Sequence, residues 1–81
     1  MSEQVHNRLA VVRAERKVSR QALAEAVGVH YQTIGYIERG QYNPSLDLAL
    51  KVAAFFGLPV EALFSLKPFQ PLTSEIYGRK Q

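Results

Sequence analysis

The chain contains no cysteine, so neither a disulfide framework nor a thiolate metal site can form. Histidine is nearly as scarce: His6 and His30 are the two present. They fall far apart in the helical order, and no paired-histidine or carboxylate spacing suggests a metal. The five glycines are scattered singly, so no glycine-rich loop could cradle a phosphate. Apolar runs stop far short of the roughly 18 residues that cross a bilayer. The opening Met1-Ser2-Glu3-Gln4 is polar, unlike a secretory signal, and the expected compartment is the cytoplasm. Charge of one sign is in small excess only. A net charge of +3 and a pI near 9.5 admit a nucleic-acid partner without requiring one. These absences leave catalysis, a cofactor and a small-molecule ligand without support.

What is present is apolar material, 47% of an 81-residue chain. That suffices for one compact domain, but with no covalent staple such a chain gains from helix packing and from pairing with a second copy. Five helices are expected from spacing and punctuation. The first runs from about Gln4 to Arg16, with Val5, Leu9 and Val12 on one side. Ser19 caps the second, which carries Leu23 and Val27 and ends at Gly28. The third begins near Tyr31, turns Ile34 and Ile37 inward and stops at Gly40. A loop, Gln41-Tyr42-Asn43-Pro44, follows, since the residue before proline leaves helical geometry. Ser45 caps the fourth, with Leu46, Leu50, Ala53 and Phe56 as its apolar face and Gly57 as its stop. After Pro59 a short fifth helix holds Val60, Leu63 and Phe64. No segment alternates as a half-buried strand does, so the expected class is all-α.

The second and third helices are joined by a very short turn, Gly28-Val29-His30. Short glycine-containing turns join helices steeply in DNA-binding helix-turn-helix units. The second helix of such a unit lies in the major groove with its N-terminal residues on base edges. With Ile34 and Ile37 inside, the outward positions are Tyr31, Gln32, Gly35, Tyr36 and Arg39. Gln32 and Tyr36 are four apart and project side by side, and glutamine can pair twice with the major-groove edge of adenine. Gly35 costs about 0.5–1 kcal/mol in a helix; close backbone approach to DNA and neutral drift both account for it. Arg20 stands in the first turn of its helix, where the dipole disfavours a cation. A DNA phosphate there would reverse the sign; the alternative is an arginine reaching Glu25 or solvent.

The run Ser19-Arg20-Gln21-Ala22-Leu23-Ala24-Glu25-Ala26-Val27-Gly28-Val29, followed by Gln32-Thr33-Ile34, resembles the helix-turn-helix of the phage repressor and Cro-like (XRE-type) regulators. Ile37-Glu38-Arg39-Gly40, Asn43-Pro44-Ser45-Leu46, Ala49-Leu50-Lys51-Val52-Ala53 and Leu63-Phe64 continue the likeness, which covers about Arg8 to Leu66. The resemblance implies a five-helix repressor-like domain over residues 1–66 with a tail at 67–81. It also implies a homodimer on a palindromic site in double-stranded DNA. It makes Tyr31, Gln32 and Tyr36 base readers, with Gly35 in the same face, and places Arg20, Thr33, Arg39, Gln41 and Asn43 at phosphates; His30, a departure from the family, is either a further phosphate contact or a substitution tolerated at the turn. Arg13 and Glu38 form a structural ion pair in the same scheme, and Leu63, Phe64 and Leu66 fall in the dimer interface. The family usually has glutamine at the position of Arg20, and serine or threonine at that of His30. Phe69, Leu72, Ile76 and Tyr77 make the tail apolar enough to pack on its own domain or to serve as a dimerisation arm. A protein-binding role, such as an antitoxin's, is the alternative function, because fold does not fix function.

Overall fold

In the computed structural model, which describes residues 4–69, the chain enters in extended backbone and turns helical only after Asn7. The Asn7 side-chain oxygen accepts the Leu9 backbone N–H at 3.0 Å, a local bond that competes with a further helical turn. Helix α1 therefore spans Leu9–Glu15 rather than Gln4 to Arg16, and Val5 lies outside it. Strand β1, His6–Asn7, pairs antiparallel with β2, Phe64–Ser65, setting His6 opposite Ser65 and Asn7 opposite Phe64. The all-α expectation missed this ladder because two-residue strands are too short to show alternation.

Helices α2 (Arg20–Val27), α3 (Tyr31–Glu38) and α4 (Leu46–Phe56) follow. The hydroxyls of Ser19 and Ser45 accept the N–H groups of Ala22 and Leu48 at 3.0 and 3.1 Å. Each cap contributes about 1 kcal/mol. Gly28 closes α2 in left-handed backbone, φ 83°, a conformation that a side chain would strain.

The expected fifth helix is a single 3-10 turn, Val60–Ala62. Beyond it the backbone is drawn into the ladder, and the Arg8 N–H donates to the Leu63 carbonyl at 3.0 Å. Among the described residues, four α-helices and a two-stranded sheet thus stand where five helices were expected. The candidate arm residues Leu72, Ile76 and Tyr77 lie outside the described residues. Phe69, at the start of the tail, is half-buried, with the Arg8 guanidinium 4.2 Å from its ring centre.

The core lies between the helices, and Leu9, Leu23, Ile34, Ile37, Val52 and Leu63 are its largest fully buried side chains. Burying each contributes about 1.5–3 kcal/mol. Helix α4 turns Ala53 and Phe56 inward as expected, but Leu48, Ala49 and Val52 take the places expected of Leu46 and Leu50. Leu48, Ala49, Val52, Ala53 and Phe56 are buried, whereas Leu46 is 72% and Leu50 50% exposed. Both stripes have helical spacing, but the buried one carries three large apolar side chains and two alanines on one continuous face.

Candidate nucleic-acid interface

Helices α2 and α3 pack through Leu23, Ala24, Val27, Ile34 and Ile37, all buried. The turn between them is held from below: the N–H groups of Gly28 and Val29 both donate to the Ala24 carbonyl, at 2.8 and 3.0 Å. His30 sits in extended backbone ahead of α3, and its Nδ1 accepts the Gln32 N–H at 3.2 Å. Its ring stacks on Tyr31 with centres 4.7 Å apart. The imidazole thus takes the place of a hydroxyl cap and fixes the start of the helix.

The outward face of α3 holds Tyr31, Gln32 and Tyr36, all exposed. Together with Arg20, Gly35 and Arg39 they line a shallow hollow of about 170 Å³. Gly35, placed among the outward positions by spacing, is in fact buried. The side chain of Arg39 folds back over it, so a Cβ at position 35 would stand 3.1 Å from Arg39 Nη1. Side chains of a helix lean toward its N-terminus, which carries the guanidinium across the preceding turn. That guanidinium also lies 5.4 Å from the Tyr36 ring centre, and its Nε donates to Gln41 Oε1 at 3.3 Å. Thr33 is half-buried; Asn43 is exposed in the loop after α3. Tyr42, which the sequence reading passed over, is also exposed and lines a second groove with Val29, Thr33, Tyr36 and Leu48. Its position between two recognised motifs was the available signal.

Behind this face lies a three-residue charge network. Arg13 Nε donates to Glu38 Oε2 at 2.7 Å, and Arg20 Nε donates to Glu38 Oε1 at 2.9 Å. Arg13 Nη1 further donates to the Val18 carbonyl at 2.9 Å. The Glu38 side chain is 3% exposed. Burial alone would push its carboxyl up, but the hydrogen bonds and charges of Arg13 and Arg20 outweigh it and hold the group below the usual carboxylate range. Asn7 joins from the other side: its Nδ2 donates to the Ile37 carbonyl at 2.9 Å, which also accepts the Gly40 N–H at 3.0 Å. One asparagine thus starts α1 and anchors the end of α3, a role that no local sequence signal announces.

The helix-turn-helix family matches residues 9–63. An uncharacterised HTH-type transcriptional regulator of Methanocaldococcus jannaschii is 47% identical over 58 residues, which are 72% of this chain and 88% of that protein. The immunity repressor of Bacillus phage phi105 is 37% identical over 59 residues, 73% of this chain and 41% of the repressor. Among solved structures, the restriction-modification controller protein C.AhdI of Aeromonas hydrophila superposes with a TM-score of 0.65 at 33% identity, over 68% of this chain and 83% of that one. The chain belongs to the helix-turn-helix family of phage-repressor and Cro-like regulators.

That family is one of DNA-binding transcription regulators and not an enzyme class. Within it, this helix-turn-helix protein departs at two positions, and the geometry accounts for both. Arg20 is long enough to reach from the start of α2 to Glu38 near the end of α3; it meets neither Glu25 nor solvent alone. His30 keeps the capping function with a ring nitrogen. Leu63, expected to face a second copy, is wholly buried in its own protomer, while Phe64 is half-buried and Leu66 is 61% exposed. Leu63 directly follows the 3-10 turn, its carbonyl accepts the Arg8 N–H, and its side chain joins the core cluster.

Proposed function

We propose that this protein is a sequence-specific, double-stranded-DNA-binding repressor that docks α3 in the major groove and binds a palindromic operator as a homodimer. The observation that carries this reading is the outward face of α3. Two tyrosines and a glutamine, flanked by Arg20 and Arg39, converge on one exposed hollow, while the opposite face of the same helix is locked into the core. Tyr31, Gln32 and Tyr36 supply base contacts, Gln32 with the donor and acceptor pair that suits adenine. His30, Thr33, Gln41 and Asn43 lie at the two ends of α3 and in the loop beyond it, the places a phosphate backbone would pass. A two-fold dimer sets its half-sites about 34–36 Å apart, one helical turn. The exposed side chain of Leu66 and the half-buried Phe64 are the dimer contacts available in this segment.

Selection of bound duplexes from a random pool tests the reading. A palindromic consensus supports it; absence of any enriched sequence contradicts it. A second reading, a protein-binding role such as an antitoxin's, has one observation in its favour. Leu46 and Leu50 form an exposed apolar edge of α4, away from α3's hollow. A partner held there would leave binding insensitive to salt, whereas phosphate contacts make affinity fall steeply with it.

A further inference from the structure

The two arginines beside the hollow are held alike. Arg39 Nε donates to Gln41 Oε1, and Arg20 Nε donates to Glu38 Oε1. Among the described residues, the hydrogen bonds made by both guanidiniums use Nε, which leaves the terminal Nη pair of each free to present two parallel donors. Arg39 is the more constrained. Gly35 leaves room for it against the helix, where a Cβ would stand 3.1 Å from Nη1, Tyr36 lies beside it, and Gln41 holds its Nε. Its fork therefore lies across the middle of α3's outward face, not beyond the end of the helix.

We propose that Arg39 is a base-reading residue selective for guanine, and that Gly35 exists to let it lie there. This rests on the DNA-binding reading above. A guanidinium offers donors only, so the base edge placed against the Arg39 fork must be an acceptor edge. Guanine offers two adjacent major-groove acceptors, N7 and O6; adenine and cytosine each bring an amino donor, and thymine a methyl beside its one acceptor. A phosphate is also acceptor-only, but position distinguishes the two. A guanidinium laid over the central turn of a recognition helix faces the floor of the groove, where the bases are.

The test uses the full chain, its selected duplex, and the same duplex with 7-deazaguanine replacing each guanine in turn, which deletes N7 and leaves every phosphate in place. Wild type should lose about tenfold affinity at one position per half-site. Arg39→Met keeps an unbranched stem and removes every donor. It should bind that position's guanine and 7-deazaguanine equally. Gly35→Ala, which pushes Arg39 aside without disturbing buried backbone, should reduce the same discrimination while the domain stays folded by thermal melting. If Arg39→Met retains the full tenfold discrimination, Arg39 is not the reader and the proposal is overturned. If Arg39→Ala lowers the salt slope by about one phosphate with discrimination intact, Arg39 meets the backbone, and the proposal is likewise overturned. If wild type shows no preferred duplex at all, the DNA-reading function itself fails, a result distinct from either.

Discussion

Replacing Glu38 by glutamine removes one charge from the network behind α3 while keeping its shape. The carboxylate accepts from Arg13 at 2.7 and 3.3 Å and from Arg20 at 2.9 Å. Glutamine offers one oxygen, so its amino group must face an arginine donor, and at least one charge-assisted bond is lost. Arg13 is the better buried partner, with its side chain 17% exposed against 44% for Arg20. A lost bond to a charged, mostly buried group costs about 1.5–3 kcal/mol. The exposed Arg20 contact adds under about 1 kcal/mol after solvent screening. A loss of about 2–3 kcal/mol is expected, against a total of about 3–10 kcal/mol for a domain of this size. Thermal melting by circular dichroism should show a midpoint about 10–20 °C lower. The pH dependence gives a second check. Because the folded Glu38 carboxyl lies below its ordinary value of 4.5, its contribution is fully present above that value and fades as pH falls through the lower folded one. The gap between wild type and Glu38→Gln should therefore be full near neutral pH and shrink in acid. A loss under about 0.5 kcal/mol, or a gap that does not shrink as the pH is taken down from 4.5, would contradict this role for Glu38.

Four further outcomes follow from the same structure. Asn7→Ala strips a partner from both the Leu9 N–H and the Ile37 carbonyl, and should lower unfolding free energy in urea by about 1–3 kcal/mol. Leu63→Ala leaves a cavity under α1 and should cost about 2–5 kcal/mol. Leu66→Ala should leave protomer stability within about 0.5 kcal/mol and instead weaken self-association in analytical ultracentrifugation. Gln32→Ala should erase discrimination at one or two base pairs, by about 1–3 kcal/mol, in competition binding against base-substituted duplexes; an unchanged preferred site would remove Gln32 from the reading face.

The helix-turn-helix was legible because its signals are local. Ser19 and Gly28 mark the two ends of α2, and Ile34 and Ile37 mark the inner side of α3. The rest depends on residues distant in sequence. Asn7 and Ile37 are 30 positions apart, and Arg20 and Glu38 are 18 apart; no periodicity reports such pairs. Gly35 shows a different limit. Helical spacing places it outward, but it is covered by the side chain of Arg39 four residues on, which a count of spacing does not include. On α4 the spacing itself was ambiguous. Leu46–Leu50 and Leu48–Val52–Phe56 are both helical stripes, and only the shape of the core chooses between them. Leu63 misled in the opposite sense, since an apolar residue near a domain's end serves a core and an interface equally well.

In the proposed function, α3 reads the sequence of double-stranded DNA while the residues around it hold the phosphates. Equilibrium affinity for the selected duplex and for a scrambled one, measured across a range of salt concentrations, tests it most directly. The expected result is a straight, steep fall of log affinity with log salt for both duplexes, with the selected duplex bound at least about a thousandfold more tightly throughout. Equal binding of the two duplexes, or an affinity that salt leaves unchanged, would contradict it.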